Sequence, residues 1–198
     1  MGFNDYFVQV PIIETERLIL RPFCYEDIYE YLSFFDDPEV QKYLGGILIP
    51  KDYEDAKRWI NNMNGRCLKS KLVITWCIEF KENNKVIGRC DLGGFVRKSM
   101  ADIAYYLSKE YWNMGLMGEA VKAVVDFGFT NLMLHRIQAT VLPENIYSLK
   151  ILKKVGFTEE GLLRMYDYGK EFKDTIMLSI ITSDYIKRKE ELLSIQRE

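Results

Sequence analysis

Gly115 and Gly118 lie in the stretch KEYWNMGLMGEAV (Lys109 to Val121), between a strand-like run, ADIAYYLS (Ala101 to Ser108), and an apolar helical run, EAVKAVVDFGFTNL (Glu119 to Leu132). That order constrains the fold more than any other feature. A strand that turns through glycine into a largely apolar helix must lay that helix against the sheet holding the strand, so the chain reads as an α/β protein built around a sheet. The turn also has chemical content. A helix start leaves N–H groups unpaired at the positive end of the dipole, and positions without a Cβ let an anion reach them. The same residues would equally serve a tight turn before an ordinary helix.

Reading outward from the turn gives the rest of the architecture. RLILRPF (Arg17 to Phe23) alternates as a strand and leads into YEDIYEYLSFF, where Ile28, Tyr31, Leu32 and Phe35 recur at helical spacing. Asp36-Asp37-Pro38 breaks that helix, and an acidic first turn opens a second from Asp52 to about Met63. Lys71 to Phe80, Lys85 to Phe95 and Ala101 to Ser108 read as three strands, the first two joined at Glu82-Asn83-Asn84, which predicts an antiparallel meander. Beyond the glycine turn and its helix come a strand, HRIQATVL, a helix, NIYSLKILKKVGF, ended by Gly156, and a closing strand pair, TEEGLLRMYDYG and EFKDTIMLSIIT. No repeat, low-complexity tract or linker divides the 198 residues, so they read as one domain, with a core over 14–182 and a C-terminal helix or tail over 183–198.

Composition enters as a set of exclusions. An apolar content of 48% is enough to bury a full core at this length. Lys and Arg total 27 against 29 for Asp and Glu, so there is no global basic field of the kind that draws nucleic acid. Cys24, Cys67, Cys77 and Cys90 form no C-x-x-C pair and, with the lone His135, no zinc set, which reads as reduced thiols in a cytoplasmic protein without a metal. MGFNDYFVQV lacks a signal-peptide pattern, Gly2 lacks the downstream Ser or Thr of a myristoylation site, and no window approaches a membrane span. The expectation is a soluble protein with no membrane partner.

Two motifs carry the chemistry. After Gly115 and Gly118 no Lys-Ser or Lys-Thr pair follows and no third glycine completes a dinucleotide fingerprint, so a pyrophosphate-sized anion site at a helix start remains, beside Tyr105 and Tyr106. In PENIYSLKILKKVGF, Asn145 and Ser148 share one helix face and could meet the same ligand; a helix cap plus a surface serine is the other reading.

YWNMGLMGEAV resembles the acetyl-CoA-binding motif of the GNAT superfamily of N-acetyltransferases, and NIYSLKILKKVGF resembles its second motif, an Asn, a Ser or Ala three residues on, and Gly-Phe closing the helix. ETERLILRPF, ADIAYYLSKEYW and EEGLLRMYDYGKEFKDTIMLSI are similar to the RimJ/RimL-type branch, which acetylates ribosomal-protein N-termini and includes small-amine acetyltransferases. The likeness runs through the chain up to its last helix. It implies a single GNAT-type domain of the α/β (α+β) class. Its sheet would be mixed, mostly antiparallel, of about six to seven strands with a splayed central pair and flanking helices. It implies acetyl-CoA and an amine acceptor as the partners of a monomer or homodimer.

The resemblance also assigns residues. Trp112 and Met117 depart from the superfamily's Gln/Arg and final small residue, but the pyrophosphate ligands are backbone N–H groups, so Met114, Gly115, Leu116, Met117, Gly118, Glu119 and Ala120 remain the expected cradle. Tyr105, Tyr106 and Leu107 would pair with the pantetheine arm, an N–H near Tyr106 would polarise the thioester carbonyl, and Lys150, Lys153 or Lys154 would meet a CoA phosphate, unless they form a solvated face. Leu152 stands where many members carry a proton-donating tyrosine, so Ser148 is the expected donor to the thiolate, with Asn145 orienting the pantetheine or a water. Asp167, Asp102, Glu79 and Asp91 are candidates to take the amine proton, and the resemblance to the ribosomal branch puts Asp167 first. The acceptor site is expected between Asp27 to Tyr53 and the closing strands. The implied reaction is direct acetyl transfer in a ternary complex to a protein N-terminus or to a small amine such as a polyamine or aminoglycoside; a non-catalytic acyl-CoA-binding module is the reading from another class.

Overall fold

The computed structural model describes residues 2–45, 49–169 and 171–195. The expected acceptor segment and the C-terminal tail therefore run in part outside the described residues, at 46–48 and 196–198. Eight strands form one sheet: β1 (Ile13–Glu14), β2 (Leu18–Arg21), β3 (Val73–Phe80), β4 (Lys85–Val96), β5 (Met100–Leu107), β6 (Arg136–Val141), β7 (Thr158–Asp167) and β8 (Phe172–Ile181), in the order β1-β2-β3-β4-β5-β6-β8-β7. The strand beyond the expected six to seven is β1, whose two residues are too few to carry a periodic signal. The meander β3-β4-β5 is antiparallel, and the turn between its first two strands puts Asn84 at φ 59°.

Strand alternation divides the molecule into two cores. Trp76 and Ile78 of β3 and Leu107 of β5 join a cluster with α4 (Leu116–Thr130) and α5 (Ile146–Val155). Their neighbours Cys77 and Tyr106 point the other way, into a second cluster with α1 (Ile28–Ser33), α2 (Pro38–Gln41) and α3 (Tyr53–Asn61). Helices thus cover both faces of the sheet. α6 (Thr182–Ile195) closes the chain, with Tyr185 stacked on Phe129 at 4.6 Å.

Several helix boundaries differ from the sequence reading; beyond α3 the helical turns continue through Asn62–Cys67, past the expected end near Met63. The run from Tyr25 to Phe35 divides into 3-10 turns flanking α1, because Asp27 at the first junction is buried in an ion pair with Arg21 at 2.8 Å. Pro38 opens a helix as well as ending one: it takes the first position of α2, and the Asp37 carboxylate accepts the Glu39 N–H at 2.8 Å. α4 starts at Leu116, three residues before the expected Glu119, since Leu116 and Met117 already belong to its buried face. Among the described residues no helix is long and apolar enough to cross a membrane.

Candidate active site

The earlier start of α4 sharpens the anion cradle. Gly115 is the N-cap, in the left-handed region at φ 76°, ψ 0°, where a residue with a Cβ is strained. Glu119 N–H donates to Gly115 O at 3.2 Å, the first rung of the helix, so the N–H groups of Leu116, Met117 and Gly118 have no partner within it. A Cβ on Gly118 would meet nothing within 4 Å, and both glycines line a cavity of about 1420 Å³. The expected cradle is thereby narrowed. The Glu119 N–H is taken, that of Ala120 lies inside the ladder, and Met114 turns its carbonyl to Arg17 and lies off the cavity lining.

A carboxylate in the first turn would repel a phosphate, and the fold neutralises it. Glu119 accepts from Thr15 Oγ1 at 2.6 Å, from Arg17 N–H at 2.9 Å and from Arg17 Nε at 2.7 Å. Burial alone would raise this carboxyl, but the hydrogen bonds from Thr15 and Arg17 outweigh it and hold the group below the usual range. Arg17 also donates from Nη1 to Met114 O at 2.9 Å, and its Nη2 lies 3.6 Å from where a Gly115 Cβ would stand. Arg17 therefore stands beside the cradle as the counter-ion of Glu119, although it is not itself among the residues lining the cavity. Sequence reasoning missed it, because ETERLILRPF marks a strand and nothing in it signals a partner on another element.

The cleft continues along β5. Parallel pairing with β6 covers only Met100↔Arg136, Ala101↔Ile137 and Asp102↔Gln138. From there the two strands part, leaving one edge of β5 open. Ser108 N–H donates to Ile87 O at 2.8 Å, and antiparallel pairs alternate, so Tyr106 binds back to Arg89 while Tyr105 and Leu107 turn their N–H groups away from β4. The backbone donors of the open edge are thus Tyr105 and Leu107; the Tyr106 N–H belongs to the ladder, and its phenol, buried and raised by that burial, enters the second core. All three residues contribute to the cavity lining.

α5 supplies the opposite wall. Asn145 is its N-cap, and Oδ1 accepts the Ser148 N–H at 3.1 Å. Ser148 Oγ is 2.8 Å from the Tyr105 hydroxyl, whose ionisation burial pushes up. Asn145, Ser148 and Tyr105 all line the cavity. Leu152, one turn on, is fully buried in the core and offers no polar group. Lys150 and Lys154 also line the cavity, together with Arg188 of α6, whereas Lys153 pairs with Glu159 at 2.8 Å.

The carboxylates expected to act as base are dispersed. Glu79 binds Arg21 at 2.6 Å, Asp91 forms a buried pair with Arg89 at 2.6 Å, and Asp102 accepts from Gln138 at 2.9 Å, with burial raising its carboxyl. None of these lines the cavity, and neither does Asp167. Asp167 ends β7, exposed, with Oδ1 accepting the Gly169 N–H at 2.9 Å; among the described residues it has no ion-pair partner. The adjoining Tyr168 donates to Tyr43 O at 3.0 Å, so this end of β7 is tied to the segment whose Tyr43 and Leu44 form part of the cavity wall.

The acetyltransferase (GNAT) domain family matches residues 17–158 of this chain. An uncharacterized N-acetyltransferase, p20, of Bacillus licheniformis is 37% identical over 173 residues, covering 86% of this chain and 96% of the relative. A spermidine N(1)-acetyltransferase of Escherichia coli (strain K12) is 31% identical over 87 residues, 43% of this chain and 47% of the relative. Among solved structures, the ribosomal-protein-S5-alanine acetyltransferase of Vibrio fischeri is similar at a TM-score of 0.73 and 26% identity, over 88% of this chain and 98% of the other.

Proposed function

The chain belongs to the GNAT acetyltransferase family, and from that premise we propose that it moves an acetyl group from acetyl-CoA to a primary amine, first among them a peptide N-terminus. The observation that carries this reading is the convergence on one cavity of the Gly115–Gly118 helix start, the open edge of β5 and the Ser148 hydroxyl. The helix start holds the pyrophosphate, with Arg17 beside it, and the cation-bearing outer end, Lys150, Lys154 and Arg188, faces the remaining phosphate. The N–H groups of Tyr105 and Leu107 pair with the pantetheine and polarise the thioester carbonyl.

A protonated amine cannot attack, so its proton must leave first. We assign that step to Asp167, which adjoins the Tyr168 tied to the Tyr43 segment of the cavity wall and has no ion-pair partner among the described residues; it takes the proton through water. The nitrogen lone pair then forms the C–N bond, the nitrogen sheds its second proton to water, the C–S bond breaks, and the sulfur receives both electrons of that bond and a proton through Ser148. Asn145 holds the first turn of α5 so that Ser148 faces the cleft. The peptide reading is supported by the structural likeness to a ribosomal-protein acetyltransferase at 26% identity over 88% of this chain; a spermidine N-acetyltransferase chimera covers 86% of the chain at 19% identity, so identity and not extent favours the peptide.

Release of CoA thiol, followed with a panel of peptide N-termini, spermidine and an aminoglycoside, tests the reading. Turnover is expected on at least one primary amine, with peptides preferred. Calorimetric binding of acetyl-CoA with no turnover on any amine would instead identify a non-catalytic acyl-CoA-binding module.

A further inference from the structure

We propose that Tyr105 is the positioning residue that directs the Ser148 hydroxyl proton into the cleft. The proposal rests on the acetyl-transfer reading above and adds a residue to it. A serine in a helix has acceptors of its own, the carbonyls three and four residues back, here Asn145 and Glu144. A hydroxyl that donates there sends its proton along the helix and presents a departing sulfur with a lone pair.

The Tyr105 hydroxyl, 2.8 Å from Ser148 Oγ, gives that oxygen a partner outside the helix, on the side of the cavity. A phenol is a stronger acid than an aliphatic alcohol, so the favoured direction is Tyr105 donating and Ser148 accepting. Burial raises the Tyr105 phenol by more than its bond to Ser148 lowers it, which keeps the donor protonated at any working pH. The competing acceptor for Tyr105, Ser148 O, is farther away at 3.4 Å and already receives a helical N–H. Both residues line the cavity, and donation into Oγ polarises the Ser148 O–H bond and makes it a better donor to a group held there. No hydroxyl comes from the next turn of α5, where Leu152 is buried; the tyrosine arrives from β5 instead.

The step balances. As the C–N bond forms, the electron pair of the C–S bond goes to sulfur, which takes the Ser148 proton. Water carrying the proton released by the amine returns one to Ser148, and Tyr105 keeps its own throughout.

Tyr105→Phe, Ser148→Ala and the double variant test the proposal through kcat and KM in a chemistry-limited step, with acetyl-CoA binding measured by calorimetry to certify the fold. Ser148→Ala is expected to lower kcat by about 100-fold and Tyr105→Phe by about tenfold, each with KM for acetyl-CoA nearly unchanged. The double variant should be no slower than Ser148→Ala, because a residue that acts only through Ser148 has nothing left to act on. Wild-type kcat in Tyr105→Phe, or a double variant slower by the full product of the two defects, overturns the role of Tyr105 and leaves the acetyl-transfer reading standing. Wild-type kcat in Ser148→Ala overturns the donor role of Ser148 and with it the role of Tyr105, while acetyl transfer itself fails only if the wild type turns over no amine.

Discussion

Gly118 and Gly115 both leave the cradle without a side chain, but they answer to substitution differently. Gly115 has φ 76°, so a valine there meets backbone strain of about 1–2 kcal/mol as well as the ligand. Gly118 has no such conformation, and a Cβ on it points into open space. Gly118→Val is therefore the cleaner test: acetyl-CoA Kd should rise by tenfold or more in calorimetry while the melting temperature holds, and an unchanged Kd would rule the cradle out. Arg17 gives a second prediction. Arg17→Met leaves the Glu119 carboxylate facing the phosphate, so affinity should fall, and adding Glu119→Gln should recover part of it by removing the repulsion. That Gly115, Gly118 and Ser148 meet at one cavity was legible in the sequence, because each sits in the first turn of a helix whose start the sequence marks. Arg17 meets Glu119 across 102 positions and Tyr105 meets Ser148 across 43, and no periodicity or spacing records such meetings. The base is the hardest to read, since a carboxylate is defined by what faces it: Asp91 and Glu79 have the right residue type but are matched by Arg89 and Arg21.

Between elements, the opening of the cleft is fixed where β5 leaves β6. The last paired residues, Asp102 and Gln138, begin a run of side-chain bonds across four strands: Gln138 to Asp102 at 2.9 Å, Arg136 to Gln138 at 2.8 Å, Arg136 to Glu160 at 2.6 Å, and Ser179 to Glu160 at 2.6 Å. The bonds from Arg136 and then Ser179 depress the Glu160 carboxyl to about 2. A depressed carboxyl stabilises the fold above its unfolded value, about 4.3, and that stabilisation is lost as pH falls toward 2. Glu160→Gln should melt lower than the wild type at pH 7, and the two curves of melting temperature against pH should converge below pH 4. Parallel curves would assign no role to the pair. Asp102 acts in the other direction, since burial raises it and protonation relieves it. The elements joined by this ladder were legible as strands and helices from their periodicity. Their exact limits were not, because α1 is bounded by a buried ion pair and β1 by pairing of only two residues.

At the scale of the whole molecule, one cavity touches both cores, with the cradle and α5 at one end and Tyr43 and Leu44, on the α2 side of the sheet, at the other. Donor and acceptor can therefore be held together, which makes an acetyl-enzyme unnecessary. The thiols point the same way. None of the four cysteines lines the cavity, burial drives the Cys77 and Cys90 thiols well up, and burial with hydrogen bonds to Asp27 and Glu26 pushes Cys24 up to about 11. A thiol held protonated is a poor nucleophile at neutral pH. Initial velocities measured against acetyl-CoA at several fixed amine concentrations should give intersecting double-reciprocal lines, the mark of a ternary complex. Incubation with radiolabelled acetyl-CoA alone should leave no label on the denatured protein. Parallel lines together with stoichiometric labelling would place an acetylated residue on the path, and one would then have to be sought among the groups that line the cleft, where Ser148 is the hydroxyl nearest the partner from β5.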